Sequence, residues 1–74
     1  MNKQRRNRLG KAFDLITEAE QILEEVKQEE DEARENLPDN FRDGDRGQQM
    51  QDAIDMIDEV IGYCQDAESV LEQI

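Results

Sequence analysis

Histidine and tryptophan are absent from this 74-residue chain, and cysteine and proline occur once each, as Cys64 and Pro38. Without histidine there is no imidazole base, no serine–histidine–aspartate triad and no Glu-x-x-His di-iron site. One cysteine makes neither an internal disulfide nor a paired-cysteine zinc site, so neither a metal nor an organic cofactor is expected. A lone thiol, with no signal peptide, fits a reducing cytoplasm. Apolar runs stop at two or three residues, too short to cross a membrane. Aromatics are limited to Phe13, Phe41 and Tyr63, and none interleaves the basic residues near the start of the chain, so base stacking there is unsupported.

Cations are also scarce: nine lysines and arginines stand against twenty aspartates and glutamates, for a net charge of −11. Residues 1–11 are the exception, carrying Lys3, Arg5, Arg6, Arg8 and Lys11 and no acid. Most of the surface should therefore repel nucleic acid, and only this arm can bind phosphate. Arg5 and Arg8 lie one helical turn apart, a spacing suited to clamping one phosphate. The competing reading pairs the arm with acidic residues of its own or a neighbouring subunit.

What the chain does have is an apolar stripe of period 3.5 that runs twice and is interrupted once, at Leu37-Pro38. The first pass takes Leu9, Ile16, Leu23, Glu30 and Leu37 with Ala12, Ala19, Val26 and Ala33. The second takes Met50, Ile57, Cys64 and Leu71 with Ala53, Val60, Ala67 and Ile74. Such a repeat predicts helices despite a composition that borders on disorder. Asn2 suits an N-cap, Pro38 ends the first helix near Asn36, and residues 37–44 form a turn. Asp43 or Gly44 caps a second helix over about 45–73. The fold class is all-α, a single long antiparallel helical hairpin in which Leu23 faces Val60 and Ile16 faces Ala67. Glu30 is the one polar layer, its carboxylate turned toward Arg34, and Cys64 is a small seam residue.

Flanking positions are apolar too: Phe13, Leu15 and Ile22 on the first helix, Ile54, Met56, Ile61, Tyr63 and Val70 on the second. Two helices cannot cover all eight, so self-association is expected, most simply two hairpins dimerising into a four-helix bundle. Charge placement adds a second expectation. Glu29, Asp31, Glu32 and Glu35 end the first helix, where the macrodipole disfavours anions, and Asp39, Asp43, Asp45, Asp52 and Asp55 crowd the same end. That acidic end is a candidate contact surface for a protein partner, or a solvated face that keeps a small bundle soluble. A calcium loop is excluded, because Phe41 and Met50 occupy the third and twelfth positions where ligands are required.

Lys3-Gln4-Arg5-Arg6, Asn36-Leu37-Pro38, Arg46-Gly47 and the run Asp52-Ala53-Ile54-Asp55-Met56-Ile57-Asp58-Glu59 give the chain its resemblance to a known group. It resembles small acidic helical-hairpin proteins of Firmicutes phages and prophages. Gly44-Asp45 departs from the Ser-Glu cap expected there. The resemblance implies a phage accessory setting and supplies no catalytic residues. The expected function is a non-enzymatic binding protein that inhibits or modulates a host protein through its acidic surface. Two alternatives remain: an oligomer that holds a nucleotide or nucleic acid with its arginine arm, and a structural adaptor.

Overall fold

A computed structural model describes residues 1–74 as a helical hairpin. α1 spans Lys3–Glu35, a single turn α2 spans Asp39–Arg42, and α3 spans Asp45–Glu72. α1 and α3 lie antiparallel along a rod whose extents are 58 × 15 × 11 Å. Its radius of gyration, 17.1 Å, exceeds the roughly 11 Å of a compact chain of this length.

Local chemistry sets the boundaries. The Asn2 side chain accepts the Arg5 N–H at 2.8 Å and caps α1, so the basic arm is part of the helix. α1 stops at Asn36 because Leu37, preceding proline, is pushed out of the helical region. The Pro38 carbonyl then accepts the N–H groups of Phe41 and Arg42, both at 2.9 Å, and opens α2 within the expected turn. Gly44 is the N-cap of α3 and makes no side-chain cap bond.

Gly47 fixes the corner. It is buried in the first turn of α3, and a Cβ there would overlap the Arg42 carbonyl group. Only glycine lets α2 lie directly on α3. Arg34 reinforces the joint by donating to the Gly47 carbonyl at 3.2 Å.

The register is within two residues of that expected, with Lys27 against Asp58 and Thr17 against Glu68. The faces differ from expectation. On α1 the rows turned inward are Leu9, Phe13, Ile16, Glu20, Leu23, Lys27, Glu30, Arg34 and, just past its end, Leu37, all half-buried, with Ala12 and Thr17 half-buried at their margins. On α3 they are Gly47, Met50, Ile54, Ile57, Ile61, Cys64, Glu68 and Leu71, with Gln51, Ala53, Gly62 and Ala67 half-buried at the margins. Both follow the alternating three–four spacing of a coiled-coil seam. One expected row of each helix is retained and the other is replaced by the row one residue later, which turns the centre of the seam by about 50°.

Three residues expected to face outward are therefore corrected. Ile54 and Ile61 are the core of the hairpin, at 6% and 5% exposure, and Phe13 is half-buried in the α1 seam row near Leu71. Conversely, Ala19, Val26, Ala33, Val60 and Ile74 leave the seam for solvent. Two physical terms select this rotation. On α3, two isoleucines bury more apolar area than the alanines and valine they displace. On α1, the long side chains of Glu20, Lys27 and Arg34 span the seam while their polar ends find partners or water. Glu30 is half-buried as expected, but Arg34 binds Gly47 and Glu35 instead of it.

Candidate functional site

The rotation of the seam sorts everything left outside it. One residue before the seam, α1 carries a second stripe of Ala12, Leu15, Ala19, Ile22, Val26 and Ala33, interrupted by Glu29 and bounded by Arg8 and Asn36. The same offset on α3 gives Arg46 and Gln49 near the turn and then Ala53, Met56, Val60, Tyr63, Ala67 and Val70, with Ile74 just beyond the helix. Each stripe stands about 100° from the seam around its own axis. Because the helices run in opposite directions, equal offsets bring both stripes to one side of the hairpin. Leu15, Ile22, Val26, Met56, Val60, Tyr63, Val70 and Ile74 remain 42–65% exposed there.

The opposite side is wholly polar apart from two glycines. One residue after the seam, α1 presents Gly10, Asp14, Thr17, Gln21, Glu24, Gln28, Asp31 and Glu35. α3 presents Gln48, Gln51, Asp55, Asp58, Gly62, Gln65, Ser69 and Glu72. The hairpin is thus amphipathic as a whole, with one apolar face and one carboxylate-rich face. A patch this long is a candidate interaction surface. Sequence reasoning had named Leu15, Ile22, Met56, Tyr63 and Val70 and missed Val26, Val60 and Ile74. Their signal was present: they continue the same three–four spacing one residue ahead of the seam.

The polar seam residues have their own electrostatics. Lys27 donates to Asp58 at 2.7 Å, which holds its ammonium above the usual lysine value. Glu20 and Glu68 meet across the seam, and Thr17 donates to Glu68 at 3.4 Å. A hydrogen bond with Glu20 pushes the Glu68 carboxyl above its ordinary range. Glu20 Oε1 is enclosed and has no partner when both groups are ionised, so a proton on Glu68 satisfies it. Tyr63, on the apolar face, donates to Glu59 at 2.7 Å, which raises the phenol above its usual value.

At the turn end, Arg42 donates to Asp39 at 2.8 Å and approaches Glu35 at 3.9 Å, where Arg34 also lies at 3.5 Å. Glu35 and Asp39 are thereby engaged inside the hairpin. Glu29, Asp31, Glu32, Asp43, Asp45, Asp52 and Asp55 form no ion pair. Glu32, Asp52 and Asp55 accept only from glutamines one turn earlier. Asp31 and Asp55 share the polar face with Glu24 and Asp58, so the acidic surface extends along the rod beyond its tip.

At the other end, Lys3, Arg5, Arg6, Arg8 and Lys11 are all exposed and none is ion-paired. Arg6 donates to the Ile74 carbonyl at 3.3 Å, tying the arm to the end of the chain. Arg5 and Arg8, with Met1 and Leu9, line an open trough of about 350 Å³. A second trough of about 320 Å³ lies between Arg6, Phe13, Leu71 and Ile74. Both are shallow and open to solvent.

No cluster of cysteine and carboxylate side chains is arranged to hold a metal ion, and no helix is long and apolar enough to cross a membrane. Compared with known proteins, the chain matches no family model, no curated protein and no solved structure.

Proposed function

We propose that the chain is a non-enzymatic binding protein whose carboxylate surface docks a basic surface of a protein partner. In the phage accessory setting implied by its sequence, that partner is a host protein which the complex inhibits or modulates. The carrying observation is the set of carboxylates at the turn end and on the polar face that no cation of the chain neutralises. Helix stability does not explain them, since α1 has no acid in its first turn and many near its C-terminus. Rigid helices that display unpaired charge accelerate and select an oppositely charged partner.

The test is affinity capture from host extract, with the captured protein then purified and titrated. Neutralising Asp31, Asp55 and Glu32 to their amides is expected to abolish binding that Lys3→Gln and Arg5→Gln leave intact. The opposite pattern refutes the acidic-surface reading.

A second reading is supported by the five unpaired cations of the arm and the Arg5–Arg8 trough. There the ligand carries phosphate, as a nucleotide or nucleic acid. Binding of an anionic oligonucleotide that weakens with salt and vanishes in Arg5→Ala/Arg8→Ala would establish it.

A further inference from the structure

We propose that the apolar face is closed by a second copy of the chain, related by a twofold axis perpendicular to the rod, with the two turns at opposite ends. The inference is independent of which surface binds the partner.

Three features of the molecule lead to this occupant. The first is extent. Carrying the register of Lys27 against Asp58 along the hairpin puts Ile22 level with Tyr63. The α1 stripe from Ala12 to Ala33 and the α3 stripe from Ala53 to Ile74 are then coextensive and centred at that level. A twofold axis through it lays the apolar face on itself: along α3 Ala53 comes level with Ile74 and Val60 with Ala67 of the other copy, and along α1 Ile22 meets its own counterpart. Self-complementarity of this kind is what an isologous interface requires.

The second feature is area. One whole side of the rod, 58 × 15 Å, offers roughly 900 Å², close to the ~800 Å² per partner of a stable interface, and the apolar stripes take up a little over half of its length. The hairpin also needs such a cover. Only Ile54 and Ile61 are buried apolar side chains, a core too small for a chain of 74 residues to stand alone. A four-helix bundle moves both exposed stripes into a common interior.

The third feature is charge, and it selects the orientation. Arg5 and Arg8 extend the α1 stripe beyond Ala12, and Glu29 interrupts it near the other end. With the turns opposed, the basic arm of each copy lies over the turn end of the other, near Asp43 and Asp45. With the turns together, five cations face five cations and the acidic tips face each other. The opposed arrangement pairs what the hairpin itself leaves unpaired. Asp31 and Asp55, on the far side, stay open in both copies, so the dimer presents its carboxylate face twice.

Light scattering behind size exclusion on the full chain is expected to give twice the chain mass. A monomer at micromolar concentration overturns the proposal. Orientation is read in a Cys64→Ser background by oxidative cross-linking. Tyr63→Cys sits near the axis and is expected to link the two copies. Arg8→Cys stands about 20 Å from the axis, which separates its two copies by about 40 Å. It is expected to remain unlinked, and efficient linkage there overturns the opposed orientation. Met56→Asp is expected to weaken association at least tenfold, with or without loss of helix, while Gln65→Asp on the polar face leaves it unchanged. Equal loss in both variants, or in neither, places the interface elsewhere.

Discussion

Gly47 is the residue on which the corner of the hairpin depends. A methyl group there runs into the Arg42 backbone, which cannot yield without moving α2. Gly47→Ala should therefore destabilise by about 1–3 kcal/mol, the usual range for overpacking, despite a better helix propensity. Gly10 and Gly62 face open space. Alanine at either should stabilise by about 1 kcal/mol, so chemical denaturation of the three variants separates sterics from propensity. The Glu20–Glu68 pair gives a pH dependence with a definite sign. The Glu68 carboxyl is raised in the folded state, so the fold binds that proton more tightly than the unfolded chain. The stabilisation is complete below the ordinary carboxylate value of 4.5 and is lost as pH rises through the raised value. Melting is expected at a higher temperature at pH 5 than at pH 7.5. Glu68→Gln, which supplies an amide donor to Glu20, should raise the neutral-pH midpoint and flatten the profile more than the exposed Glu24→Gln does.

At the scale of the elements, the two long helices are specified differently. α1 owes its start to one side-chain cap, so Asn2→Ala should cost about 1 kcal/mol and fray the arm that carries Arg5 and Arg8. Amide exchange over residues 3–8 would show it. α3 has no such cap; its position is set by burial of Ile54 and Ile61 and by the contact at Gly47. Ile54→Ala should accordingly destabilise by about 2–4 kcal/mol. Val60→Ala, one residue before the seam, should leave an isolated hairpin nearly unchanged and register only in its association. The contrast is a direct measure of which row faces inward.

The whole molecule is a charged rod with one apolar side, and its folding should be coupled to association. If a second copy covers that side, the melting temperature rises with protein concentration, which calorimetry over a hundredfold dilution would reveal. A concentration-independent midpoint would mean that the hairpin is stable with its apolar face in water. Charge should modulate the assembly without creating it. Replacing Arg5 and Arg8 with glutamine should weaken the dimer at low ionic strength and matter little in molar salt, where the screening length falls to about 3 Å. Sedimentation equilibrium at two salt concentrations reads the difference.

The sequence by itself determined the all-α class, the hairpin, its break at Pro38, the Asn2 cap and the register to within two residues, because these follow from period, proline and caps acting locally. It also determined that the charge is divided, with cations at residues 1–11 and unpaired acids toward the turn. The tertiary structure alone decided which two of the three available rows on each helix face inward. On α3 apolar residues fill three rows and more than one rotation satisfies them, while on α1 the row that turns inward is mostly charged, so hydrophobic period alone pointed to the other. The choice rests on contacts between residues distant in sequence: Ile54 and Ile61 enclosed against α1, Lys27 reaching Asp58, and Gly47 admitting the Arg42 backbone. That choice turned a scatter of flanking apolar residues into a single face. Its physical reason is that rotation of a helix costs nothing locally and is fixed only by what the other helix offers it.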